Sequence, residues 1–186
     1  MSHTSLEDPR VALDRLSERH AASVRTTTQL HRLRHTIDSL HELVMYVVGE
    51  QGLAPAGPLY ARFHQLAGAI AVEAGMPLAQ PIAGAGVVLP SSLPGGPALI
   101  CRYYGTLEEL AAVRDTMARL KRVRGLAVAG APWESYVIDR RDVFNGEDRV
   151  TEVCLPVRST IARCNGSVDG PQRPGRTDLA QRQAIR

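Results

Sequence analysis

The sequence predicts an α+β fold made of two similar strand-helix-strand-strand halves, related by a pseudo-twofold axis, with a ligand cleft between them. Three observations carry this: an internal repeat, two amphipathic helical stripes, and β-rich runs flanking each stripe. Gly52-Leu53-Ala54-Pro55-Ala56-Gly57 followed by Pro58-Leu59-Tyr60 returns as Gly125-Leu126-Ala127-Val128-Ala129-Gly130 followed by Pro132-Trp133-Glu134. Upstream, Ile37, Leu40, Val44 and Val47 stand where Leu110, Val113, Met117 and Leu120 stand in the second copy. Downstream, Glu73-Ala74-Gly75-Met76-Pro77-Leu78 is matched by Glu152-Val153-Cys154-Leu155-Pro156-Val157. Two similar halves usually pack about a twofold axis, and equivalent residues then face each other across it.

In chain order, the β-formers in Val11 to Arg15 and Ala21 to Thr28 predict an extended opening segment or hairpin. Gln29 to Gln51 carries Leu30, Leu33, Ile37, Leu40, Val44 and Val47 on one stripe, the period of an amphipathic helix, and Gly52 is placed to stop it. Leu59 to His64 and Ile70 to Met76 follow as strands, the second ended by Pro77. Residues 79–97 are rich in Pro and Gly and predict a hinge or linker, interrupted by the β-like Val87-Val88-Leu89. Ala98 to Tyr104 is an apolar strand. Thr106 and Glu109 form a capping box ahead of a second amphipathic helix reaching Arg124, which Gly125 ends. Trp133 to Ile138 and Val150 to Val157 close the second half, with a polar loop, Asp139 to Arg149, between them.

The boundaries that follow are a tail over 1–9, a domain over 10–158 with halves at about 10–80 and 97–158, and a tail over 159–186. In that last stretch Pro, Gly, Gln, Arg and Ser dominate and aromatics vanish, so disorder is expected. At 186 residues and 44% hydrophobic content the chain fits one globular domain, and no apolar run approaches a membrane span. The charged opening does not resemble a secretion signal, so a cytoplasmic location is expected. Three cysteines without Cys-x-x-Cys spacing argue against a disulfide framework and a zinc ribbon. A net charge of +3, with Arg158, Arg163, Arg173, Arg176, Arg182 and Arg186 near the end, makes direct nucleic-acid binding a weak prospect. No phosphate-cradling glycine loop, dinucleotide fingerprint or Ser-His-Asp order is visible, and no cofactor is expected.

Residues 52–64 read Gly-Leu-x-Pro-x-Gly-Pro-x-Tyr-Ala-x-Phe-His, Leu93-Pro94-Gly95-Gly96 leads into a strand, and Gly105 and Leu110 stand near a helix start. Gly125-Leu126, Pro132-Trp133-Glu134-Ser135-Tyr136 and Thr151-Glu152-Val153-Cys154-Leu155-Pro156-Val157 complete the pattern. Over about residues 10 to 158 it resembles the gyrase-inhibitor-like (GyrI-like) small-molecule-binding domain, the effector-binding module also attached to bacterial regulators of the AraC and MerR classes. Where that family has His-x-Gly-Pro-Tyr, this chain has Tyr103-Tyr104-Gly105-Thr106-Leu107. No helix-turn-helix precedes residue 10, so a free-standing domain is expected.

The resemblance implies that Glu134, the glutamate of Trp-Glu-x-Tyr, sits in the ligand cleft and faces cationic or polar groups of bound drugs. Strand alternation puts Glu134, Tyr136 and Ile138 on one face and Trp133, Ser135 and Val137 on the other. A carboxylate between an aromatic and an aliphatic neighbour is partly desolvated if its face lines a cleft, and aromatic walls add about 0.5–2 kcal/mol of cation–π attraction per well-placed ring. Aligned on the proline, Tyr60 corresponds to Glu134 and is expected across the cleft from it. The plainer alternative is an exposed sheet face. Tyr60, Trp133 and Tyr136 are the expected walls, with Tyr46, Phe63, Tyr103 and Tyr104 as further candidates, although Trp133 equally suits a core and Tyr46 and Phe63 suit one better. His31 and His35 stand one turn apart beside Asp38 and Glu42, a spacing that can hold a metal, but the solvent flank of an amphipathic helix explains them and no metal is expected. His64 is expected to be structural.

Three functions fit. The first is a small-molecule binder that sequesters a flat, hydrophobic and perhaps cationic ligand or presents it to a regulator, with drug tolerance as an outcome. The second is a hydrolase, because some relatives of the family open cyclopropane rings of DNA-alkylating antibiotics; here Glu134 would act with Tyr60 or a neighbouring tyrosine. The third is a protein-interaction module with a DNA gyrase-like partner, helped by the Arg-rich tail.

Overall fold

Alternating apolar positions make a sheet two-faced, and here both faces are buried by different means. The structure, a computed structural model, describes residues 11–66, 69–104, 110–137 and 150–160. The capping box at Thr106 and Glu109, the loop 139–149 and the tail beyond 160 lie outside the described residues. The strands are β1 (Val11–Leu16), β2 (Arg19–Thr28), β3 (Tyr60–Leu66), β4 (Ala69–Leu78), β5 (Leu89–Leu93), β6 (Gly96–Tyr104), β7 (Leu126–Val128), β8 (Trp133–Val137) and β9 (Val150–Ser159). The helices are α1 (Leu33–Glu50), entered through a 3-10 turn at Leu30–Arg32, and α2 (Leu110–Val123). They pack against a curled antiparallel sheet, a half-barrel of mixed α+β class, with strand order β1-β6-β9-β8-β3-β4-β2-β5 and β7 added beside β9.

Register decides which residues share a face, because directly paired residues point the same way. One transverse row runs Val11, Cys101, Val153, Glu134, Ala61, Ala74, Val24. It lies under the helices. Val44, Val47 and Val48 of α1 bury against Ala22, Val24, Met76 and Leu78, while Leu110, Val113 and Met117 of α2 bury against Leu99, Cys101, Tyr103 and Val153. Both helical stripes expected from the sequence are therefore the stripes that pack, except at Leu30, which is 76% exposed in the turn ahead of α1. Both helices also stop as expected, with Gly52 at φ 63° and Gly125 at φ 58°, conformations that cost glycine little.

The adjacent row runs Ile100, Cys154, Trp133, Arg62, Glu73, Arg25 and points to the inside of the curl. There Leu16, Ala21, Tyr60, Leu93, Ile100, Trp133 and Cys154 form a second core. Tyr60 lies over Gly75, its cross-strand partner: a Cβ there would come within 2.7 Å of the tyrosine ring and 2.5 Å of the Ala22 carbonyl oxygen.

Three expectations change. β1 and β2 do not form a hairpin with each other; β1 pairs with β6, whereas β2 pairs with β4 and β5, so the two lie in opposite halves of the strand order. The segment 79–97 is not only a linker, because β5 adds an edge strand to β2. Pro90 is tolerated there because an edge strand leaves one row of amides unpaired. Pro77 does not end its strand. Its carbonyl accepts from the Ala56 amide at 2.8 Å, on the side where β3 has already ended, so the missing N–H costs no bond to β2.

The links from β1 to β2 and from β5 to β6 are both short and meet where the curl closes. A Cβ on Gly95 would stand 2.8 Å from the Glu18 amide nitrogen and 3.2 Å from the Leu16 carbonyl oxygen. Among the described residues no helix is long and apolar enough to cross a membrane.

Candidate functional site

β3 and β8 meet at the middle of the sheet, between the strands covered by α1 and those covered by α2. On the helix side this central strip presents Ala61 and Phe63 from β3 and Glu134 and Tyr136 from β8. Glu134 is only 3% exposed, and its charge is met from α2: Arg114 Nη2 donates to Glu134 Oε1. The same guanidinium lies 5.8 Å from the centre of the Phe63 ring. The Tyr136 hydroxyl donates to Glu134 Oε2 at 3.3 Å. Burial, then the Glu134 charge and the hydrogen bond to it, pushes the Tyr136 phenol above its ordinary range, so it stays a donor.

From the other helix His41 points into the same strip. Its ring meets Tyr136 edge-on at 5.7 Å, and Nε2 donates to the Tyr60 carbonyl oxygen at 2.9 Å. Burial lowers its pKa against the opposing pull of that bond, so the imidazole is neutral. Ile37, Leu33 and Leu40 close the α1 side. The result is an acidic group and aromatic faces under two helices, with one cation already in place.

Of the candidate residues, Glu134, Tyr136 and Phe63 come together. Tyr60 does not join them. It pairs with Ser135, and the one-residue offset from Ala61 and Glu134 sends its side chain through to the inner face. The expected opposition of Tyr60 and Glu134 is thereby corrected, and with it the hydrolytic pairing of those two groups; Tyr136 is the tyrosine that reaches Glu134. Trp133, 1% exposed, lies on the inner face and cannot wall the Glu134 side. Tyr103 is buried under α2, and Tyr46 is 65% exposed on α1. The side chain of Tyr104 lies outside the described residues. His31 and His35 are exposed, and among the described residues no cluster of metal-ligating side chains occurs.

The inner face holds a second polar constellation that sequence reasoning missed. Glu73, 2% exposed, accepts from Arg25 Nη2 at 2.7 Å, from the Tyr60 hydroxyl at 3.0 Å and from Ser91 Oγ at 3.0 Å. Arg62 Nη1 lies 3.6 Å away and His64 Nε2 3.8 Å. The Arg62 guanidinium is held near the rings of Tyr60 and Trp133, at 5.8 and 5.9 Å, and donates to the Ser92 carbonyl at 2.6 Å. Burial opposes the charge on Glu73, but the Arg25 hydrogen bond, the Arg62 charge and the two hydroxyls outweigh it and hold the carboxyl below its ordinary range. The partners come from the adjacent strands β2 and β3 and from β5 beyond β2, so this cluster ties β2, β3, β4 and β5 together. One signal was available: Glu73 is the single charge in the apolar run Ile70 to Leu78.

The sequence matches no protein-family model and no curated protein. The fold is similar to that of the EcmrR C-terminal domain, with a TM-score of 0.70 and 16% identity over 81% of this chain and 98% of that one. EcmrR in the EcmrR-DNA complex of EcmrR-RPo gives a TM-score of 0.72 at 16% identity over 82% of this chain, which spans 58% of the EcmrR chain there. A hydrolase from Listeria innocua gives 0.58 at 14% identity, covering 83% of this chain and 94% of that one. SAV2435 bound to tetraphenylphosphonium gives 0.52 at 12% identity, covering 80% and 94%. At these identities what is shared is the fold, a curled sheet with two helices.

Proposed function

We propose that this chain is a small-molecule-binding domain of the effector-binding type, and that it takes an organic cation at Glu134, on the strip of sheet between α1 and α2. The observation that carries this is the Arg114 guanidinium, which meets a buried carboxylate and an aromatic face together. A carboxylate withdrawn from water beside Phe63 and Tyr136 is the environment in which a weakly hydrated cation gains most. Two further facts support it. SAV2435, of similar fold, binds tetraphenylphosphonium, a bulky lipophilic cation. The strand order also reads symmetrically outward from the β3–β8 pair, as duplicated halves about a twofold axis would give, which supports a site on that central pair.

The protein would act by holding such a molecule away from its target or by presenting it to a regulator. Titration with tetraphenylphosphonium, followed calorimetrically, tests the reading. Glu134→Gln keeps the shape and removes the charge; losing a Coulomb attraction of about 1.5–3 kcal/mol, for unit charges about 6–10 Å apart at an effective dielectric constant of about 20, weakens binding about 10- to 100-fold. Equal affinity in the variant would exclude Glu134 as the counter-charge.

A further inference from the structure

We propose that Arg114 is a built-in occupant of the cation site and determines which ligands the site accepts. This rests on the reading of Glu134 as the cation-binding group. The two partners differ sharply in environment: the Arg114 side chain is 56% exposed, whereas that of Glu134 is 5% exposed. Arg114 can leave the site by rotating out from the solvent side of α2, and its guanidinium is rehydrated when it does. Glu134 cannot follow. It stays under the helices, where an uncompensated charge is costly. The carboxylate therefore always needs a cation, and binding is an exchange of Arg114 for the ligand.

Exchange sets the ligand class. Arg114 is tethered one side chain away, so it competes at high effective concentration. A small, strongly hydrated amine brings nothing that Arg114 lacks and loses its hydration on entry. A bulky cation with spread charge sheds little hydration, and it adds apolar surface against Phe63 and Tyr136, both of which are half-buried. The site thus selects lipophilic, delocalised cations and rejects ammonium-type amines, zwitterions and anions. Arg114 and His41 stand at the same distance from the glycines that end their helices, Gly125 and Gly52, so each helix directs one basic-type side chain into the strip. Of these two, Arg114 is the one that pairs with Glu134, whereas His41 gives its Nε2–H to the Tyr60 carbonyl.

The test uses the full chain, tetraphenylphosphonium and methylguanidinium as probes, and three variants. Arg114→Gln removes the competitor; if Arg114 fills the site more than about nine-tenths of the time, tetraphenylphosphonium affinity rises at least about tenfold. Methylguanidinium, which mimics the lost group, should raise the melting temperature of Arg114→Gln and leave the parent protein unaffected. Arg114→Lys, which keeps a charge on the helix but loses the planar fork, should bind tetraphenylphosphonium at intermediate strength. Unchanged or weaker tetraphenylphosphonium binding by Arg114→Gln, or the same methylguanidinium response in the parent protein, overturns the proposal. If Glu134→Gln still loses affinity in the same series, that failure falls on Arg114 alone; if it does not, the reading of Glu134 has failed first.

Discussion

Replacing Glu73 by Gln should destabilise the protein without touching the Glu134 side of the sheet. The carboxylate is met by side chains from three other strands, so loss of its charge leaves the Arg62 guanidinium, 13% exposed, opposite a neutral amide. Breaking a buried pair by removing one partner costs about 3–5 kcal/mol. The amide oxygen can still accept from Tyr60 and Ser91, and Arg62 keeps its bond to the Ser92 carbonyl, which sets the loss at the low end, about 3 kcal/mol. Arg25 adds little, because its side chain is 60% exposed and an exposed pair contributes less than about 1 kcal/mol. For a domain of this size, about 3 kcal/mol lowers the melting temperature by about 6–12 °C. Urea unfolding monitored through Trp133, which lies beside Arg62, gives the free energy directly. A loss under about 1 kcal/mol, or an equal loss from Arg25→Met, would refute the view that Glu73 and Arg62 hold the inner face together.

Acid should act through the same group. The native Glu73 carboxyl titrates below its unfolded value, so its contribution is complete above the unfolded value and is lost as pH falls through the native one. Urea midpoints measured across that acid range should converge for the parent protein and Glu73→Gln; a constant gap would contradict this. Gly75→Ala places a Cβ against the Ala22 carbonyl and the Tyr60 ring, neither of which can retreat without breaking the ladder, and should cost at least about 2 kcal/mol in the same assay. Burial, then the Glu152 charge, pushes the Cys154 thiol up to about 12, and burial also raises Cys101. Neither should react with a disulfide reagent at mildly alkaline pH faster than the protein unfolds, and prompt native-state labelling of either would show the strand to be open.

The helices and central strands were legible because their signals are local. Val44 and Met117 repeat at helical spacing, and Gly52 and Gly125 end their helices wherever the sheet goes. The face shared by Glu134 and Tyr136 follows from alternation alone. What could not be read was pairing. Proline alignment set Tyr60 level with Glu134, but the backbone register puts Ala61 there, and with a period of two a single residue moves a side chain to the opposite face. Pro77 and Pro90 misled for a related reason: proline ends a strand only where its missing amide would have been used. Arg114 was hidden among the exposed residues of an amphipathic helix, and only the depth of Glu134 makes it special.

The close passage at Gly95 has a consequence for assembly. β1 precedes α1 in the chain yet finishes the part of the sheet beneath α2, and β5 precedes α2 yet finishes the part beneath α1. On the ribosome, β1 must therefore wait without a mate until β6 has emerged. Severed anywhere between Leu78 and Leu89, the molecule would yield two incomplete fragments, each lacking an edge the other supplies, and they should recover native structure only when mixed.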